Sequence, residues 1–563
     1  MMKRNLILGI IALVILILII GIILIAITSK TKKMQETQEL ENSSSSEYSE
    51  ILTDTVITDI NTETKTNTIL ETMQIESAPN YAQIALDIPE INLQDSLMIV
   101  EAELANYSGS LHVETTREDY SGTGYLSAFQ DGDNIKASFM IPTSQHYDIT
   151  ICAYADNPAM NLLLLNNQEI GQFQITESEH FVRVTFSGIY LQAGQADLSI
   201  QAIDGNIAID YFEIKNNQEM PVLNYNKQDN LSDSQASPNA QKLMNYLKKN
   251  YGKKIISGQY ASLDTNTELD YIYSITGKYP AIRFGDMQGY TANSNINHGN
   301  IISACESWAE QGGIVGLIWN WEAPSGESSV YAEDTSFSLA DAIPSGITSE
   351  DGTSVNYQID VALLTEAEIS AKLESNSISE SCALLLKDID SIANALKPLA
   401  EKDIPVLWRP LHEAGGYWFW WGADGSQAYR WLWDILYRRM TEYHNLHNLI
   451  WIWNGQNENY LVDNYDIASL DIYLSSEQDF NSRYENFLAL YHYTKGKKIL
   501  ALSECSTFPD VNLMFRDNTI WSFCGLWYSE YLETELYTSK QDMINFYNSE
   551  VVITLQDAQE IFN

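Results

Sequence analysis

Pro405-Val406-Leu407-Trp408-Arg409-Pro410-Leu411-His412-Glu413-Ala414-Gly415-Gly416-Tyr417-Trp418-Phe419-Trp420-Trp421-Gly422 is the stretch whose reading decides the fold. It begins as an apolar run with the length and residue types of a buried strand. It ends in a polar pair, His412-Glu413, where that strand should run out. Five consecutive aromatics, Tyr417 to Trp421, follow. A carboxylate at a strand end, walled by rings, suits the cleavage of sugars. Partial desolvation lets such an acid hold its proton near neutral pH, and the apolar faces of pyranose rings stack on Trp. A core strand with an aromatic loop is the alternative, but so many adjacent rings are hard to bury together.

Outward from this stretch, apolar strand candidates alternate with helical spacing. The candidates are 255–259, 281–285, 314–319, 405–410, 448–454, 467–473, 498–504 and 520–527, with helices between most of them, such as 384–401 and 428–444. Eight parallel strands with covering helices describe a (β/α)₈ TIM barrel, an α/β fold that keeps its chemistry at the C-terminal strand ends. The polar, Gly/Ser-rich segment 321–355 reads as a loop over that face.

On this count Glu413 ends the fourth strand and Glu504 the seventh. Two carboxylates across a cleft are the minimal apparatus for glycoside hydrolysis. Their environments must differ, one protonated and one ionised. Glu413, among aromatics, is expected to be the acid/base. Glu504, leaving a buried strand in Ala501-Leu502-Ser503-Glu504-Cys505, is expected to be the nucleophile. Arg409 can keep a carboxylate ionised, or it forms a buried structural ion pair. His412 can orient the acid or bind a hydroxyl. Asn454, Gln456 and Asn457 end the fifth strand, and Asp471 and Tyr473 the sixth. Tyr473 can donate to the nucleophile. Trp527, ending the eighth, can floor a sugar subsite.

The remainder of the chain bounds these readings. At 563 residues it needs more than one domain. A formal net charge of −43 argues against nucleic acid as a partner. Five widely spaced cysteines form neither a CxxC pair nor a disulfide framework. The apolar stretch 6–27 reads as an uncleaved signal-anchor in segment 1–33. Segment 34–88 reads as a flexible acidic stalk. The expected location is the cell membrane, single-pass with an extracellular catalytic domain, or secreted if the segment is cleaved. Segment 89–217 alternates like an antiparallel β-sandwich, 218–238 like a linker, and 239–563 holds the barrel. Glu101 and Glu103 on a first strand and Asp210 on a last strand either converge on a hard cation such as Ca²⁺ or are solvated edge carboxylates.

Glu101-Ala102-Glu103, Tyr120-Ser121-Gly122-Thr123-Gly124-Tyr125 and Ile209-Asp210-Tyr211 resemble carbohydrate-binding modules of families 6 and 35. The resemblance implies a structural Ca²⁺ held by Glu101, Glu103 and Asp210. The barrel segment is similar to glycoside hydrolase family 26 through Trp408-Arg409-Pro410-Leu411-His412-Glu413, Trp418-Phe419-Trp420-Trp421-Gly422, Ile450-Trp451-Ile452-Trp453-Asn454, Asp471-Ile472-Tyr473 and Leu502-Ser503-Glu504-Cys505. That resemblance implies a retaining hydrolase with Glu413 as acid/base and Glu504 as nucleophile. It also implies no catalytic cofactor, and substrate contacts from His412, Trp418 and Tyr473. Most members of the family cut β-1,4-mannan. The chain departs from the pattern at Asn320, in Trp319-Asn320-Trp321, where the family commonly has His. The expected substrate is mannan, glucomannan or galactomannan, acted on by a monomer. A mixed-linkage β-glucanase and a non-catalytic surface sugar-binding protein are the alternatives.

Overall fold

The structure, a computed structural model, describes residues 78–562 apart from 90–96, 177–179, 218–222, 228–229, 292–299, 345, 349–354, 358 and 475–478. Eight strands form one closed parallel sheet: β1 (Ile255–Tyr260), β2 (Ile282–Asp286), β3 (Ile314–Trp319), β4 (Val406–Pro410), β5 (Leu449–Trp453), β6 (Ile467–Ile472), β7 (Ile499–Cys505) and β8 (Phe523–Leu526). Each pairs with its successor, and β1 pairs with both β2 and β8. The short strand Val552–Ile553 adds to the start of β1. Each expected strand is found with small shifts at its ends. Every residue of β3, β4 and β5 is buried, which is why, Arg409 in β4 apart, they read as continuous apolar runs rather than alternating ones.

The covering helices read from their apolar spacing. Glu380–Glu401 is capped by Ser379, whose side chain accepts from Cys382 N, and buries Leu385, Leu386, Ile389, Ile392, Leu396 and Leu399 along one stripe. Ser426–Arg438 carries Trp431, Leu432, Ile435 and Leu436 inward. All five cysteines are buried free thiols.

Ahead of the barrel lies an antiparallel sandwich. One sheet runs Val113–Glu114, Tyr125–Phe129, Ile207–Asn216, Gln145–Tyr154, Val182–Leu191, with Leu97–Glu101 also on Ile207–Asn216. The other runs Asn106–Ser108, Asn134–Ile141, Gly194–Asp204, Ala159–Leu165, Gln168–Ile175. Asn134–Ile141 alternates exposed and buried along its whole length. The sandwich rests on the barrel through aromatics. His146 packs edge-on against Tyr484 with centroids 4.3 Å apart, and Tyr190 OH donates to Asp517 Oδ2 at 3.1 Å.

Two expectations are corrected. The stalk does not extend to residue 88. Ile84 exchanges backbone hydrogen bonds with Asn548 and Glu550, and Leu86 N and Asp87 N donate to Glu550 Oε1 and Asn512 Oδ1. This end, Tyr81-Ala82-Gln83-Ile84-Ala85-Leu86-Asp87-Ile88, is a strap held to the barrel by its main chain. The single-pass membrane location also fails: no helix among the described residues is long and apolar enough to cross a membrane. The helices are amphipathic, and even the 22-residue Glu380–Glu401 spaces acids and lysines along its outer face. The stretch 6–27 itself lies outside the described residues.

Candidate active site

Three carboxylates and one guanidinium meet at the C-terminal mouth of the barrel. Arg409, next to last in β4, is 1% exposed. Its Nη1 donates to Asp471 Oδ2 at 2.6 Å, and its Nη2 donates to Tyr260 OH at 3.0 Å and to Glu504 Oε1. A register shift between β6 and β7 makes this cluster possible. Leu470 faces Leu502, but Asp471 faces Glu504, leaving Ser503 as an extra residue. Such bulges re-aim side chains next to active sites. Ser503 Oγ turns back to Asp471 Oδ1 at 2.8 Å, and Asn454 Nδ2 donates to the same oxygen at 3.0 Å. Tyr473 OH donates to Glu504 Oε2 at 2.7 Å. Burial and the Glu504 charge hold that phenol far above its usual range, so it stays a donor.

Glu413 approaches from the β4 side on a strained turn. Leu411 and Glu413 both have φ of 53°, a left-handed conformation that costs a non-glycine residue about 1 kcal/mol or more and clusters at functional sites. The turn is pinned by Glu413 N, which donates to Asn454 O at 2.7 Å and Asn454 Oδ1 at 3.1 Å. The side chain accepts from Gln456 Nε2 at 3.0 Å and from Trp418 Nε1 at 3.2 Å. The aromatic run divides as its crowding requires. Phe419, Trp420 and Trp421 are buried, with Trp420 Nε1 and Trp421 Nε1 donating to Trp321 O and His412 O, whereas Tyr417 and Trp418 remain half-exposed.

Burial, and then the charge of Asp471, push Glu413 up to about 7 and Glu504 up to about 8. Asp471 is raised as well, by burial. That order alone would put the proton on Glu504. The contacts argue the reverse. Glu504 touches the guanidinium directly and accepts from Tyr473, which favours its anion, whereas Glu413 accepts only from neutral N–H groups. We therefore place the proton on Glu413.

The other expected residues divide. Trp527, just past β8, packs on Tyr260 with centroids 4.6 Å apart, beside Tyr473. His412 is buried between Phe419 and Trp421, and burial with the Arg409 charge holds its imidazole neutral. Asn320, just past β3, reaches across to the end of β2 instead: its Nδ2 donates to Asp286 Oδ2 at 2.8 Å. Sequence reasoning missed Tyr260 and Asp286, and it did not foresee that Gln456 holds Glu413. Tyr260 and Asp286 are each the last residue of a barrel strand, a signal already used for β4 and β7.

Glu101, Glu103 and Asp210 lie in the sandwich, around one turn. Ser121 Oγ donates to Glu101 Oε2 at 2.6 Å, Ser121 N to Asp210 Oδ1 at 2.9 Å, and Thr123 N to Glu103 Oε1 at 2.7 Å. Ser121 Oγ also reaches Asp210 Oδ1 at 3.3 Å, so the three carboxylates gather around this turn, although among the described residues no three His, Cys, Asp or Glu side chains are placed to hold a metal ion as they stand. The acceptor-only chemistry of the set still fits a hard cation. Glu103 Oε2 is buried without a donor, and burial with the Glu101 charge raises Asp210.

A (β/α)₈ barrel whose mouth opposes a guanidinium-bound glutamate to a second, elevated one defines a glycoside hydrolase. The chain belongs to glycosyl hydrolase family 26: residues 232–557 match that family, and residues 98–217 match carbohydrate binding module family 35. It is 30% identical over 480 residues to a mannan endo-1,4-beta-mannosidase of Thermothelomyces thermophilus, covering 84% of this chain and 92% of the relative. Mannan endo-1,4-beta-mannosidase B of Piromyces sp is 29% identical over 473 residues, covering 81% and 76%. Among solved structures, the GH26-CBM35 beta-(1,4)-mannanase of Podospora anserina aligns with a TM-score of 0.54 at 29% identity, over 84% of this chain and 100% of that one.

Proposed function

We propose that this protein is a retaining endo-β-1,4-mannanase acting on mannan, glucomannan or galactomannan. The observation that carries the mechanism is the asymmetry of the two glutamates: Arg409 and Tyr473 hold Glu504, and neither touches Glu413. Glu504 attacks the anomeric carbon while Glu413 gives its proton to the departing glycosidic oxygen. The glycosyl ester on Glu504 is then cleaved by water, whose proton returns to Glu413. Trp418 and Trp527 offer ring faces to the sugars on either side, and His412 stays neutral as a hydrogen-bonding wall. The substrate reading is supported by the names of both relatives. Asn320 keeps a hydrogen-bonding group where the family commonly has His, so the departure costs the site no donor.

The test is the anomeric form of the first product from mannohexaose, read by NMR. The β-anomer is expected, and the α-anomer would overturn double displacement. Glu413→Ala and Glu504→Ala should each abolish release from mannan; equal background from the parent and both variants would support the binding-only reading. Hydrolysis of lichenan with no release from mannan or glucomannan would defeat the substrate. For the sandwich, the proposed role is carbohydrate binding, with Glu101, Glu103 and Asp210 holding Ca²⁺.

A further inference from the structure

Glu413 accepts one N–H at each carboxyl oxygen, and the two donors are unlike. Gln456 Nε2 reaches Oε1 at 3.0 Å, and Trp418 Nε1 reaches Oε2 at 3.2 Å. Trp418 is half-exposed in the aromatic wall of the mouth, so Oε2 lies on the cleft side. Gln456 comes to the acid from behind. Its Nε2 also donates, in a long contact of 3.4 Å, to the main-chain oxygen of Asp471. A carbonyl only accepts, so the amide nitrogen and not the amide oxygen must face this pair. The side chain also lines a cavity of about 150 Å³ with Leu470, Asn486, Ala489 and Tyr493, under the helix Tyr484–Tyr493. The backbone is built to keep Gln456 there. Its φ is 56°, in the left-handed region, a conformation that residues other than glycine keep mainly at functional sites. The two loops are zipped together, with Glu413 N donating to Asn454 O at 2.7 Å and Gly415 N to Gly455 O at 3.0 Å. They lie so close that a Cβ on Gly415 would fall 2.7 Å from Gly455 O. The acid turn and the Gln456 turn are thus held as one piece.

We propose that Gln456 is a positioning residue: by holding Oε1 of Glu413 as the carbonyl oxygen, it leaves the proton on Oε2, aimed at the departing glycosidic oxygen. The inference rests on the reading of Glu413 as the general acid. In a neutral carboxyl the carbonyl oxygen is the stronger acceptor, so the shorter contact, the one from Gln456, marks Oε1 as that oxygen. The hydroxyl at Oε2 then has the cleft in front of it. As the bond from the anomeric carbon to the leaving oxygen breaks, the proton passes from Oε2 to that oxygen and Glu413 becomes the anion. The N–H groups of Gln456 and Trp418 both favour this anion, so they ease the transfer while fixing its direction.

The test uses the full chain, its Gln456→Met variant, which keeps the length of the side chain without its N–H, and Gln456→Leu as a second apolar replacement. kcat/KM is measured for mannopentaose and for 2,4-dinitrophenyl β-mannobioside, whose phenolate departs without needing a proton. Glu413 is titrated in the same proteins by carbon-13 NMR of labelled glutamate carboxyls. Both variants should lose about 10- to 100-fold on mannopentaose, part of what a general acid supplies, and little on the dinitrophenyl substrate. The Glu413 midpoint should rise above the parent's value of about 7 in both, since the lost N–H favoured the anion. Equal losses on the two substrates, as a merely structural role would give, or an unmoved midpoint, overturn the proposal. A parent that turns over neither substrate would refute the activity instead, and the midpoint alone would then decide whether Gln456 holds the acid.

Discussion

Replacing Glu413 by Gln removes a carboxyl whose ionisation the fold resists, and the consequence for stability can be worked from the site. Burial and Asp471 lift Glu413 from 4.5 to about 7, a difference of 7 − 4.5 = 2.5 units, or ~3 kcal/mol. Between those pH values the folded chain holds a proton that the unfolded chain has released, so folding stability falls as pH rises through the interval. Below pH 4.5 the group is protonated in both states and contributes nothing. The Gln variant keeps the shape and lacks the titration. It should therefore match the parent near pH 4 and exceed it by up to ~3 kcal/mol above pH 7, while losing about 10²–10⁴-fold in turnover of mannan for want of a general acid. Calorimetric melts from pH 4 to 9 check this, with a shift of a few degrees expected for a chain this long. A stability difference that ignores pH, or a parent that gains on the variant as pH rises, would refute the electrostatic account of the site.

Tyr473→Phe deletes the 2.7 Å donor to Glu504, so kcat should fall about 10- to 100-fold. The acid limb of the pH profile should move up as the Glu504 anion loses support; an unmoved limb would show that Glu504 does not set it. Trp418→Ala removes both a ring face and the 3.2 Å donor to Glu413. KM should rise by up to about tenfold, and the alkaline limb should shift to higher pH, since that donor lowers the Glu413 pKa. Chelation should lower the melting temperature of the sandwich, and Glu103→Gln should blunt that response. No change on chelation would remove Ca²⁺ from the account.

The barrel was legible because its parallel strands are buried on both faces and therefore appear as largely apolar runs, several of them followed by polar residues at the mouth. That grammar gave Glu413, Glu504, Arg409, Asp471 and Tyr473 their places. It could not give their pairings. The Asp471–Glu504 register depends on the bulge at Ser503, and nothing in Ala501-Leu502-Ser503-Glu504 announces an extra residue. The left-handed turn at Glu413 was hidden for a related reason: residues 411 and 413 are Leu and Glu, not the Gly that usually signals positive φ. The strap before the sandwich escaped because its attachment is main-chain hydrogen bonding, which side-chain composition does not record.

What ties these parts together is charge. Fully ionised, the mouth would hold Asp471, Glu413 and Glu504 against Arg409 alone, an uncompensated pair of negative charges out of water. Arg409 is already committed, with Nη1 to Asp471 and Nη2 to Glu504 and Tyr260. The cluster relieves itself best by keeping a proton on the carboxyl that makes no direct contact with the guanidinium, and that is Glu413. The proton required by the proposed mechanism is therefore a consequence of crowding three carboxylates around one cation. On this view Asp471 need not touch substrate to matter, because its charge adds to burial in elevating both glutamates.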